Sequence, residues 1–188
     1  AVALPDEVTI TDAPAKSHIR PAGEDIQPGA PVAAAGTLID AAVIAALTSA
    51  GVYSVSVHRR PRIAIISSGE ELVSSPTELA PGQLPDSNGP MLAALAGAHT
   101  RLHVGDSPQT GLALDELASS HDLIITSGGV SAGAFDVVHT VLGRTDSAWF
   151  GHVDQRPGAP QGYSNWKGTP VLCLPGTVSY THLTLPTN

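Results

Sequence analysis

The sequence predicts an α/β fold built on a mostly parallel sheet with helices on both faces. Three observations carry that expectation. From Pro61 onward, short runs of aliphatic residues alternate with helix-patterned segments, the order that gives parallel strands joined by crossover helices. The strand-like runs RIAIISS and DLIITS are continuously apolar rather than alternating, which marks strands covered on both faces. Aromatic residues make up only 4% of a chain that is 42% hydrophobic, so Val, Ile, Leu and Ala must fill the core.

Taken in order, residues 1–20 are short-patterned, with VTI as the one convincing strand core. RPAGEDIQPGAPVAAAG (Arg20–Gly36) is rich in Pro and Gly and reads as extended. DAAVIAALTSAG is a helix, with Asp40 as its cap and Gly51 at its end. VYSVSV alternates like a strand, and Pro61 separates it from RIAII. A boundary is expected at about Arg60. Beyond it come strand RIAIISS, a helix from near Ser87, strand TRLHVGD, a helix with Ser107 as a cap, strand DLIITS, helix FDVVHTVLG, and strands SAWFGHV and TPVLCLPG.

The 188 residues suffice for one domain with additional segments. A formal net charge of −8 argues against a general nucleic-acid binder, which needs a basic footprint. No apolar stretch is long enough to span a bilayer, and no leader is recognisable at the start. The one cysteine, Cys173, excludes an internal disulfide framework and reads as a small core residue on a strand. A cytoplasmic location is the expectation.

In parallel sheets, ligands sit beyond the carboxyl ends of the strands. Four segments fall there. SGGVSAGAFD follows strand LIIT, and the amides of Gly128 and Gly129, with Ser127 and Ser131, can cradle an anion. A plain strand-to-helix turn explains the same glycines equally well. SSGEELV places Ser68, Gly69, Glu70 and Glu71 at a strand end, where a solvated helix start is the competing account. GQLPDSNGPML puts Asp86, Ser87 and Asn88 at a helix front, a pattern an N-cap cluster also produces. RPGAPQGY is a proline-stiffened loop carrying Arg156 and otherwise reads as surface. Together they offer amides and hydroxyls for phosphate beside the carboxylates Glu70, Glu71, Asp86 and Asp136. Carboxylates next to an anionic ligand require an intervening cation, and Mg²⁺ suits oxygen ligands shared with phosphate. The residues alone therefore point to a Mg²⁺-assisted site for a phosphorylated small molecule. His18, His58, His99, His103, His121 and His139 show no ligand spacing and read as solvated or structural.

The motifs RPAGEDI, PRIAIISSGEEL, GQLPDSN, DLIITSGGVSAGAFD, RPGAPQG and LPG occur in this order over about Arg20–Gly176. The run resembles the molybdopterin molybdenumtransferases, bacterial enzymes related to the E domain of gephyrin. SGGVSAG alone is also similar to the molybdopterin adenylyltransferases and the competence-damage-inducible proteins, and RPAGEDI favours the first family. The resemblance implies the three-layer αβα molybdopterin-binding fold over 61–177. Residues 1–20 would end an N-terminal β-rich domain and 21–60 would belong to a helical linker domain, in a chain truncated at both ends. It implies insertion of molybdate into adenylylated molybdopterin with release of AMP, using Mg²⁺. A homodimer of the full-length protein and molybdopterin adenylyltransferase as a partner are implied as well.

By position, Asp86, Asp136 and Glu71 match acidic residues associated with catalysis, and Asp136 and Glu71 with the metal. The expected pterin-binding set is Ser68, Gly69, Asn88, Ser127, Gly128, Gly129, Val130, Ser131 and Gly133, with Arg156, Pro157, Gly158, Pro160, Pro175 and Gly176. Departures are Glu70 where the family has Asp, and Arg156, Ala159 and His152 where it often has lysines. Alternative functions are an adenylyltransferase-like or pyrophosphatase-like enzyme of the same fold, or a non-catalytic pterin-binding scaffold. Val178–Asn188 fits no element of this fold and reads as one frame of a sequencing-library adapter.

Overall fold

In the computed structural model the described residues are 7, 9, 19–74, 79–105, 109–130 and 136–177. Chain contacts divide the molecule into two compact units, Ala1–His58 and Arg59–Asn188.

The first unit holds helix α1 (Ala41–Ser49), capped by Asp40, whose carboxylate accepts from the Val43 amide at 2.9 Å. Leu47 is its one buried residue. Arg20 pairs with Asp25 at 2.6 Å on an exposed turn. The alternating VYSVSV segment, expected as a strand, carries no ladder here. Alternation makes one apolar face but supplies no neighbouring backbone, and Tyr53 and Val57 stay exposed.

The second unit is the expected α/β domain. Its elements are β1 (Ile63–Ser68), β2 (Leu72–Val73), β3 (Leu84–Pro85), α2 (Asn88–Ala96), β4 (Thr100–Val104), α3 (Gln109–Ser120), β5 (Leu123–Ser127), α4 (Val137–Leu142), β6 (Trp149–His152), β7 (Pro160–Trp166) and β8 (Thr169–Leu174). The main sheet runs β4-β1-β5-β8-β7-β6. Pairs β1–β4, β1–β5 and β5–β8 are parallel, while β7 pairs antiparallel with both β8 and β6. A separate two-stranded ladder joins β2 and β3.

The continuous apolar runs are central strands, as expected: Ala64–Ser68 and Ile124–Ser127 are buried throughout. Their side chains divide between two cores. Ala64, Ile66, Ile124, Val171 and Cys173 pack with Leu114 and Leu117 of α3 and Val138 and Leu142 of α4. Ile65 and Ile125 meet Leu92 and Ala93 of α2 on the other face. The result is three layers. Cys173 is fully buried in this core, and burial pushes its thiol up to about 11.

Strand β7 was not visible in the sequence, where RPGAPQGY reads as a loop. Its residues are mostly polar or glycine, with Tyr163 exposed and Ser164 buried, and its place depends on the β7–β8 hairpin turn at Lys167 and Gly168, both at positive φ. Trp166 fastens it by donating from Nε1 to Asp115 of α3 at 2.8 Å.

Candidate functional site

Chain order reverses at the centre of this sheet. From β1 the chain leaves to β4 on one side and returns to β5 on the other, so a crevice opens beyond the carboxyl ends of β1 and β5. Register sets Ser67, Ser127 and Leu174 side by side at the ends of β1, β5 and β8. The ladder continues one step further, with the Gly128 amide donating to Leu174 O at 3.0 Å.

A cavity of about 360 Å³ lies at this edge. Ser68, Gly69, Glu71, Asn88, Ser127, Gly128, Gly129, Val130, Asp136, Gly158, Pro160, Pro175 and Gly176 line it, joined by Leu72 and Thr177. The last two were not foreseen. Leu72 lies in SSGEELV, where the carboxylates draw the attention, and Thr177 adjoins the segment set aside as adapter. Ser131 and Gly133 lie outside the described residues.

Glycine at 128 is required by space as well as by conformation. Its φ is +97°, and a Cβ there would stand 2.4 Å from the carbonyl oxygen of Ser68. The ends of β1 and β5 thus approach more closely than any side chain allows. Asn88, 7% exposed, ties the same edge together. Its Nδ2 donates to Ser127 Oγ at 3.1 Å and to Gly176 O at 3.0 Å. Because Gly176 O can only accept, the amide orientation is determined, and Asn88 Oδ1 is left buried with no hydrogen-bond partner among the described residues.

Two expected residue groups lie off the cavity lining. Asp86 caps α2: its Oδ1 accepts from the Gly89 amide at 2.8 Å, and its Oδ2 from Ser67 Oγ at 2.7 Å. One oxygen holds the helix start and the other ties it to β1. Arg156 and Pro157 are exposed and do not line the cavity, although Gly158 and Pro160 of the same loop do. Neighbours along a loop need not direct their side chains alike. The described lining therefore carries two carboxylates, Glu71 and Asp136, and no Lys, Arg or His.

Among the described residues, no three His, Cys, Asp or Glu side chains are grouped to hold a metal ion. A closed protein cage for a metal is thus not found there. The donor set does fit Mg²⁺ in its usual shared mode, with one or two carboxylates, waters and ligand phosphate oxygens. No described helix is long and apolar enough to cross a membrane.

Comparison with known proteins agrees with this geometry. A family model described as "Probable molybdopterin binding domain" matches residues 64–186. Molybdopterin molybdenumtransferase 2 of Mycobacterium tuberculosis is 42% identical over 171 residues, covering 85% of this chain and 42% of the relative. Molybdopterin molybdenumtransferase of Staphylococcus epidermidis is 38% identical over 146 residues, covering 73% of this chain and 34% of the relative. The crystal structure of the molybdopterin biosynthesis moea protein from Pyrococcus horikosii superposes with a TM-score of 0.67 at 26% identity, covering 87% of this chain and 44% of that one. The chain spans about two fifths of the length of the curated relatives it matches. It belongs to the molybdopterin-binding domain family, with molybdopterin molybdenumtransferases among its curated relatives.

Proposed function

We propose that this chain is the substrate-binding core of a molybdopterin molybdenumtransferase, which inserts molybdate into adenylylated molybdopterin and releases AMP. The observation that carries the reading is the cavity where three strand ends meet, lined by glycines, hydroxyls and two carboxylates. Its relatives at 38–42% identity carry that name.

In this reading the Gly129 amide, with Ser127 and Ser68, receives the pterin phosphate, while the Gly128 amide stays bonded to Leu174 O and holds the strand ends together. Backbone donors suit the task, since the described lining has no cationic side chain. Glu71 and Asp136 are the residues that would hold Mg²⁺, which supplies charge neutralisation for the phosphates when bound. Asp86 acts one layer behind, holding the front of α2 and with it Asn88. The full-length protein is read as a homodimer in the cytoplasm, with molybdopterin adenylyltransferase as a partner. Residues 61–177 are its pterin-binding domain.

The exposed position of Arg156, outside the lining, favours a second reading. With Ala159 and His152 where lysines are common in the family, the site has less fixed positive charge for molybdate. A non-catalytic pterin-binding module would tolerate that. Molybdate-dependent AMP release by the full-length protein separates the two. Asp136→Asn is expected to abolish release while adenylylated molybdopterin still binds within a few-fold. Release at the unmutated rate would remove Asp136 from the mechanism. Binding without any release by the unmutated protein would favour the module, and AMP transfer from ATP would favour an adenylyltransferase.

A further inference from the structure

His103 is a half-buried residue of β4, opposite Ser67 of β1 in the parallel register. Its Nε2 lies 2.8 Å from the carbonyl oxygen of Gly69. A carbonyl only accepts, so Nε2 carries the proton and donates. The Gly69 amide in turn donates to Val104 O at 3.2 Å. Both polar groups of this cavity-lining glycine are thus fastened to β4, one by backbone and one by the imidazole.

The fastening reaches Glu71. Leu72 N also donates to Gly69 O, at 3.2 Å, closing the turn that contains Glu71. The Glu71 carboxylate folds back over Gly69, its Oε2 only 2.7 Å from where a Cβ on Gly69 would stand. The far side of the turn is held as well, since Leu84 N donates to Glu71 O at 2.7 Å. The Gly69 peptide thus anchors the turn from which the Glu71 carboxylate reaches back, and among the described residues the side chain bonded to that peptide's oxygen is an imidazole that does not line the cavity.

We propose that His103 is a positioning residue for Glu71, holding the Gly69 carbonyl so that the Glu71 carboxylate stands in the ligand cavity. The proposal rests on the reading of Glu71 as part of the binding site. It assigns a role to a histidine whose sequence context suggested none.

The test uses the full-length protein with His103→Leu and His103→Gln, each alone and combined with Glu71→Gln. Gln keeps an amide donor, while Leu keeps bulk without one. Affinity for adenylylated molybdopterin in the presence of Mg²⁺ is one readout. Backbone hydrogen exchange over residues 66–74 in the ligand-free protein is the other. His103→Leu is expected to weaken binding about fivefold, the worth of one hydrogen bond, and to speed exchange in that segment by a similar factor. His103→Gln should recover most of both. On the Glu71→Gln background, His103→Leu should change affinity little, because the two act through one carboxylate. An equal fivefold loss on that background, or no recovery with Gln, overturns the proposal. If the unmutated protein does not bind adenylylated molybdopterin, the functional reading fails by itself. The exchange data then still decide whether His103 holds the turn, and unchanged exchange in His103→Leu overturns the proposal for any ligand.

Discussion

At the amino end of β5, Asp122 receives two bonds from Arg59 at 2.5 and 2.6 Å, and Arg62 adds its amide at 2.7 Å and its guanidinium at 3.1 Å. At the carboxyl end of the same strand, Gly128 brings backbone against backbone, and a buried amide oxygen of Asn88 has no partner among the described residues. The first end completes its own charges. The second presents glycine peptides, hydroxyls and two carboxylates around a cavity with no cationic side chain in its described lining. A folded domain gains little by leaving a buried acceptor unpaired. The contrast is what favours the carboxyl end of this sheet as the proposed site, the amino end being finished structure.

The largest expected effect comes from removing the close approach. Gly128→Ala combines a positive φ with a Cβ 2.4 Å from a backbone oxygen that cannot move away alone. It should cost about 3 kcal/mol and, by pushing the β1 and β5 ends apart, abolish pterin binding. Urea unfolding measures the first and ligand titration the second. A loss below 1 kcal/mol would mean that the two strand ends separate easily, and the edge is then not the rigid cradle described.

Asn88→Ala comes next. It removes two hydrogen bonds and orphans Gly176 O, while also removing the unpaired Oδ1. The net cost should be about 2 kcal/mol in urea unfolding. Saturating ligand should stabilise the unmutated protein more than the variant, if the ligand relies on the edge that Asn88 ties together. Equal stabilisation of both would make Asn88 a purely structural tie.

How far the sequence reveals this contrast depends on the kind of interaction. Strands β1 and β5 are legible because their aliphatic runs end in small residues and burial on both faces imposes that composition, while β8 is legible from its apolar run although its burial alternates. The glycines at the cavity are visible as a pattern, but only the structure shows that Gly128 is required by the approach of the Ser68 carbonyl oxygen. Strand β7 is not, because Gln161, Ser164 and Asn165 look like loop and only the hairpin makes them strand. VYSVSV errs in the other direction, an alternating segment with no ladder among the described residues. Side-chain direction is the hardest to read. Asp86 and Asn88 are two apart, yet one caps a helix and the other lines the cavity. Arg156 sits two residues from Gly158 and is exposed outside the lining. The Asp122 cluster needs a contact between positions some sixty residues apart, and no local pattern announces it.

Smaller effects are expected at the amino end. The hydrogen bond from Arg59, then those from Arg62, hold the Asp122 carboxyl well below the usual carboxylate range. A depressed folded value means that its stabilisation is complete above the unfolded value of about 3.9. That stabilisation is lost as pH falls through the folded value. Asp122→Asn should therefore be less stable than the unmutated protein near neutral pH, and the gap should close as the solution is acidified. The guanidiniums are more than half exposed, so added salt at neutral pH should also narrow it. Pterin affinity should be unaffected. A change in affinity would show that the two ends of the sheet are coupled rather than independent.

Gly168→Ala gives the smallest effect and the sharpest control. Its φ of +91° is close to that of Gly128, but no atom lies within 4 Å of an added Cβ. The Gly168 amide still donates to Asn165 Oδ1 at 2.8 Å. Only the backbone conformation is penalised, so the cost should be about 1 kcal/mol, with ligand binding intact. The two alanine variants share one strain and differ in one contact. The difference in their unfolding free energies, about 2 kcal/mol on these figures, measures what the approach of β5 to β1 demands. If both variants lose the same amount, Gly128 is there for its turn, and the closeness of the strand ends is incidental to the site.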